Sequence, residues 1–163
     1  MTILKLLGAI TLAASVAAAQ GKLSGTVQCP QQASDQHAVE VGDHPGHAYL
    51  VLKEECTWTK SLEIAGLKSK EDTAAAFSEV DHNKGKDHSS RVLSMDNGDK
   101  AYVRTQGTST MKDQKFESGE GTFSFAGGTG KLKGITGKGT YKCAPEGSNL
   151  NCDVEGEYTL PSK

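Results

Sequence analysis

Polar and apolar residues alternate with a period of two in one short run after another along this chain, and turn-forming residues separate the runs. A period of two sends successive side chains to opposite faces of a strand, whereas a helix groups its apolar residues three and four apart. The pattern predicts eight strands, at 22 to 29, 47 to 58, 74 to 82, 88 to 96, 99 to 111, 114 to 126, 133 to 143 and 152 to 160. Asn97-Gly98 and Lys112-Asp113 sit where tight hairpin turns belong, and Asn-Gly between alternating runs is a strong hairpin signal. The segment from Ser61 to Asp72 reads as a loop. The alanines that follow it also suit a short helix, and Phe77 and Val80 break simple alternation.

Eight antiparallel strands joined in chain order leave two exposed edges unless the sheet closes on itself. The expected fold is therefore all-β, a single antiparallel up-and-down β-barrel of about eight strands, wide enough for side chains or one small ligand. Glycines inside the strands, Gly107, Gly121, Gly139 and Gly156 among them, weaken a flat sheet but permit the coiling of a small barrel. No repeat, low-complexity tail or linker divides the chain.

Composition adds the compartment. Met1 to Lys5 carries one basic residue, Leu6 to Val16 is apolar but short for a membrane span, and Ala17 to Ala19 offers a small-residue cleavage site. Residues 1-19 thus read as a signal peptide and 20-163 as one exported domain, periplasmic or extracellular, with no transmembrane segment in the mature chain. A formal charge of −2, from 18 basic and 20 acidic residues, excludes the basic footprint of a nucleic-acid binder. Four cysteines in an exported chain point to disulfides. Three connectivities are possible. Pairing Cys143 with Cys152 staples a hairpin across "APEGSNLN", which leaves Cys29 for Cys56, and this is the favoured arrangement.

The run from Gly127 to Tyr141, "GGTGKLKGITGKGTY", raises the question of phosphate binding. A phosphate loop needs glycine five positions before Gly-Lys and Ser or Thr after it. Gly130-Lys131 has Phe125 before it and Leu132 after it, and Gly137-Lys138 has Leu132 and Gly139, so the motif fails. Read as architecture, the run is a strand end, a glycine turn with room for one helical turn, and a second strand. In that form it resembles a corner of the eight-stranded barrels of the allene oxide cyclase and dirigent superfamily, which are calycin-like. With "GDHPGHAY", "CTWTK" and "MDNGDKAYVR", the chain is also similar to small secreted bacterial proteins of unknown function, and this second likeness covers most of the mature chain. The resemblance implies a fold. It carries no catalytic residue to a numbered position here.

The residues offer three candidate sites. His44 and His47 in "DHPGH", with a distant His82 or His88, are donors suited to zinc, copper or nickel, although loop histidines are more often solvated than ligating. Tyr102, Arg104 and Gln106 share one face of a strand. Facing inward, Arg104 would be a buried cation that Glu79, Glu117 or Glu120 could pair and would anchor a small acid ligand. Facing outward, it is solvated while Ala101, Val103 and Thr105 line the core, and the apolar content favours that reading. Trp58 beside Cys56 serves as core packing or as part of a ligand platform. Glu54 and Glu55 are adjacent, hence on opposite faces of a strand. No Gly-x-Ser-x-Gly elbow and no Cys-x-x-Cys motif is present, and no cofactor is expected. The leading expectation is a non-enzymatic barrel binding a small apolar or amphipathic molecule. A cyclase or isomerase using Tyr102, Arg104 and a glutamate, and a filled envelope barrel that meets another protein, are the alternatives.

Overall fold

The computed structural model describes residues 19–33, 35–113 and 115–162, and most of them lie in antiparallel strands. In chain order these are β1 (Ala19–Pro30), β2 (Asp35–Glu40), β3 (His47–Lys60), β4 (Glu63–Ile64), β5 (Leu67–Asp81) and β6 (Lys84–Met95). There follow β7 (Lys100–Lys112), β8 (Lys115–Gly128), a 3-10 turn (Gly130–Leu132), β9 (Thr136–Glu146) and β10 (Asn149–Leu160). All but β2 and β4 form a ring in the order β1-β10-β9-β8-β7-β6-β5-β3, and β3 pairs back onto β1. With the two small strands set aside, neighbours in the ring are neighbours in the chain. The architecture is the expected closed, up-and-down, eight-stranded antiparallel barrel. Of the expected signal, only Ala19 falls within the described residues, among which no helix is long and apolar enough to cross a membrane.

Closure is uneven around the ring. β1 and β10 pair along twelve positions from Ala19↔Leu160 to Pro30↔Asn149. β1 and β3 meet at only three, Thr26↔Lys60, Val27↔Trp58 and Gln28↔Thr57, with a register shift between the first two. Beside that short seam lies the Cys29–Cys56 disulfide, with a Cα separation of 4.4 Å. Cys143 and Cys152, directly opposed on β9 and β10, form the second disulfide. Covalent bonds thus fix the weakest join and one hairpin.

Alternation decides what fills the barrel. Leu23, Leu93, Ala101, Phe123, Phe125 and Leu160 come from five strands and form one buried cluster. Leu67 and Met95 join it, and Leu62 and Ile64, beside and in β4, with Leu132 and Ile135, in and just after the 3-10 turn, complete it and plug the apolar end. Room for the aromatic rings comes from glycine. A Cβ on Gly139 would lie 2.4 Å from Phe123 Cε1, and one on Gly156 would lie 2.8 Å from Phe123 Cζ. The Tyr141 hydroxyl covers Gly107 and Gly121 in the same way.

The loop expected over Ser61 to Asp72 is not one. β4 and the start of β5 form a hairpin there, turning through Ala65 (φ 53°) and Gly66 (φ 78°). Ser69 ties it down, its Oγ accepting from the Leu62 amide while its own amide donates to the Leu62 carbonyl. The pattern was disguised by a bulge. Pairing with β6 shifts between Ser69 and Glu71, so Leu67 and Ser69 face inward and then Asp72 and Ala74 do, one position out of step. β2 also went unpredicted, because every described side chain on it is exposed and no core face marks it.

Candidate functional site

Three of the predicted donors are brought together at one rim. The loop before β3 carries Asp43 and His44 and β3 opens on His47, while β5 ends at Asp81 and its turn into β6 carries His82. Gly46 (φ 82°) reverses the loop so that His44 and His47 both face Asp43. Two backbone bonds hold the rim, the His82 amide to the Gly46 carbonyl (3.0 Å) and the Val41 amide to the His47 carbonyl (3.0 Å). His82 itself adopts φ 55°, a left-handed conformation that costs a non-glycine residue about 1–2 kcal/mol.

The rings lie in a stack. His44 is between the other two, with centroids 5.0 Å from His47 and 5.2 Å from His82 and interplanar angles of 24° and 21°. Carboxylates surround them. Asp43 lies 2.9 Å from His47 Nδ1 and 3.2 Å from His44 Nδ1. Asp81 lies 2.9 Å from His44 Nε2 and 2.6 Å from His82 Nδ1, and Glu79 is 3.4 Å from His47 Nε2. The hydrogen bonds from His44 and His82 hold the Asp81 carboxyl down at about 2. The bond to His47 lowers Asp43 likewise. In return, Asp81 raises the His44 imidazole and Asp43 raises that of His47.

From this rim the ring contacts continue onto the outer face of the sheet. His47 meets Tyr49 at 5.9 Å, and Tyr49 stacks on Phe77 at 5.4 Å. Phe77 and its cross-strand partner Val51, 43% and 54% exposed, line an open groove of about 1230 Å³. His88, Arg104, Gln106, Thr122, Lys138 and Glu155 also line it. These six side chains alternate with the core positions and stand on the outer face of the sheet, and the inward positions Ser89, Phe123, Gly139 and Gly156 between them also line the groove.

The other predicted residues separate. Tyr102 and Arg104 point outward while Ala101 is fully buried and Val103 packs on the core, and Arg104 makes no hydrogen bond or ion pair among the described residues. Glu79 serves the rim and does not meet Arg104. Trp58 packs between the two core clusters, its buried Nε1 without a partner among the described residues. His37 lies apart on exposed β2, 3.2 Å from Asp35. Among the described residues, neither Glu117 nor Glu120 forms an ion pair with Arg104.

The barrel does hold a buried cation, but it is Arg91. Its Nε donates to both Asp72 oxygens at 3.0 and 3.2 Å, its Nη1 to Glu54 Oε2 at 2.6 Å, and its Nη2 lies 3.5 Å from Cys56 Sγ. Burial opposes the guanidinium charge, and the two carboxylates outweigh it and raise the Arg91 pKa. Burial pushes the Asp72 carboxyl up, against the pull of Arg91. The sequence carried a signal for this group, since Arg91 alternates in step with Ser89, Leu93 and Met95 and so occupies an inward position. Glu54, Cys56 and Cys29 also cluster, but the disulfide removes both thiolates as ligands.

No protein-family model matches the sequence, and no curated protein does. Solved structures do match in three dimensions. The pterocarpan synthase dirigent protein GePTS1 superposes with a TM-score of 0.51 at 9% identity, over 96% of this chain and 97% of that one. The chain has the fold of the dirigent proteins. A second such protein, PsPTS1, gives 0.51 at 10% identity over 89% of this chain and 97% of that one. A conserved protein of unknown function from Rhodopseudomonas palustris gives 0.49 at 12% identity, over 88% and 99%.

Proposed function

We propose that this chain is an exported, non-enzymatic β-barrel that binds a small amphipathic molecule along its open groove. The observation that carries the reading is the occurrence of exposed Val51 and Phe77 with Arg104, unpaired among the described residues, on the same open surface. Apolar side chains left in water favour an apolar body, and a guanidinium without a carboxylate favours an acid head group. Two disulfides support an oxidising compartment, in keeping with the signal read at residues 1-19. The dirigent-fold neighbours are pterocarpan synthases, but a cyclase built on Tyr102 and Arg104 needs them converging in the lumen, and both stand outside it.

Native mass spectrometry of the protein taken from its own secretory compartment tests the reading. The expected result is a retained organic acid on the wild type, lost from Phe77→Ser and from Arg104→Gln. A bare wild-type mass, or an adduct that both variants keep, overturns it.

A further inference from the structure

We infer that the rim of Asp43, His44 and His47 is a binding site for one divalent transition-metal ion of the zinc or copper class, ligated by the Asp43 carboxylate and the Nδ1 atoms of His44 and His47. The donor types suit that class, since imidazole nitrogen with a carboxylate oxygen is a borderline set that magnesium and calcium do not favour.

The decisive feature is how the two rings are oriented. Each directs Nδ1 at Asp43 and Nε2 at a different carboxylate. For His44 the distances are 3.2 Å to Asp43 and 2.9 Å to Asp81, and for His47 they are 2.9 Å to Asp43 and 3.4 Å to Glu79. Metal-bound histidines characteristically give their second nitrogen to a carboxylate, which fixes the tautomer and aims the ligating atom. Here both rings have that outer carboxylate already, on separate residues and on the side away from their shared partner. A chance cluster of loop histidines has no reason to sort its nitrogens in this way.

Size agrees with the orientation. Bond lengths of 2.0–2.2 Å in a tetrahedral zinc site put neighbouring donors about 3.4 Å apart. The three donor atoms all lie within 4.8 Å of one another, a gap that rotation of the exposed Asp43 and His44 side chains toward His47 closes. Three protein ligands leave a fourth position facing solvent, the composition of an open site and not of a purely structural one.

His82 has a different part. It stacks on His44 and pairs with Asp81, so it acts on the ion through the carboxylate that orients His44. It is a positioning residue. His37 and His88 stand outside the cluster. Nothing in the site depends on the groove reading, so the two proposals fail separately.

Zinc chloride titrated calorimetrically into chelator-stripped mature protein tests the assignment. One equivalent is expected. His44→Ala and His47→Ala weaken binding on the order of a hundredfold or more, and His82→Ala weakens it roughly ten- to hundredfold, the range of outer-sphere losses. His37→Ala leaves it unchanged, and magnesium chloride gives no binding heat. An NMR titration of the wild type needs no variant, and in it zinc shifts the imidazole signals of His44 and His47 while those of His37 and His88 stay in place. Absence of stoichiometric zinc binding, retention of binding in the His44→Ala/His47→Ala double variant, or shifts spread equally over the histidines would each overturn the proposal.

Discussion

Arg91 on β6 reaches over β5 to donate a 2.6 Å hydrogen bond to Glu54 on β3, so one guanidinium joins strands that are not neighbours in the sheet. Asp72, on the strand between, accepts from the same side chain at 3.0 Å. An ion cluster of this kind is costly to desolvate and contributes little against a well-packed apolar equivalent, but breaking it strands a charge. Arg91→Ala is therefore expected to destabilise the barrel by about 3 kcal/mol, while the triple replacement Arg91→Met, Glu54→Leu, Asp72→Leu comes much closer to the wild type. Urea unfolding of both variants decides it. If Arg91→Ala falls within about 1 kcal/mol of wild type, the cluster is solvated in solution and the argument fails.

The same cluster shows how far the sequence was legible. Alternation identified the eight barrel strands because each buries one face only, and the rim histidines stood out because their short segment is unusually rich in donors. It also set Arg91 in step with Leu93 and Met95 on an inward face, but it could not name the carboxylates that meet it, because Glu54 and Asp72 come to it through register against other strands, which a single strand does not record. Where a bulge at Lys70 breaks the period, the pattern imitates a loop. β2 owes its strand geometry to the edge of β3 and not to a core of its own, so hydrophobic patterning carries no trace of it.

The seam between β1 and β3 sets the second expectation. Loop-closure entropy assigns about 3.5 kcal/mol to a cross-link spanning 27 residues and about 2.5 kcal/mol to one spanning 9. Three residue pairs and the Thr59 hydroxyl bond to the Thr26 carbonyl hold the seam besides its disulfide, whereas the β9–β10 hairpin pairs along eleven positions. Cys29→Ser/Cys56→Ser is thus expected to lower stability more than Cys143→Ser/Cys152→Ser does, and to raise hydrogen exchange at Thr26 to Gln28 before the rest of the barrel. Equal losses, or exchange that stays cooperative across the ring, would show that the seam does not depend on its disulfide.

Gly139 provides a test of lumen packing. A Cβ there would approach the Glu155 carbonyl oxygen to 2.1 Å and Phe123 Cε1 to 2.4 Å. The ring can rotate, but the backbone of the paired strand cannot easily withdraw, so Gly139→Ala is expected to cost about 1–3 kcal/mol. Adding Phe123→Leu should not restore the loss. Gly147, with open space around its Cβ position and φ 62°, should accept Asn with little change. Thermal melts of the three variants separate these outcomes, and rescue by Phe123→Leu would locate the strain in the ring instead of the backbone.

Asp99 links the β6–β7 turn to the plug at the apolar end, and its effect should depend on pH. Its carboxylate accepts from Asn97 Nδ2 at 2.8 Å and from the Lys131 amide at 2.9 Å, and these bonds lower its pKa below 3.8. A carboxyl depressed in the folded state contributes stability that is fully present above its unfolded value and fades as pH falls through the folded one. Asp99→Ala should therefore melt below the wild type at pH 6, with the gap narrowing as the pH is taken under about 4. Because the group is exposed, added salt should narrow the gap as well. A difference in melting temperature that is the same at pH 6 and pH 3 would mean that Asp99 acts through shape alone, without its charge.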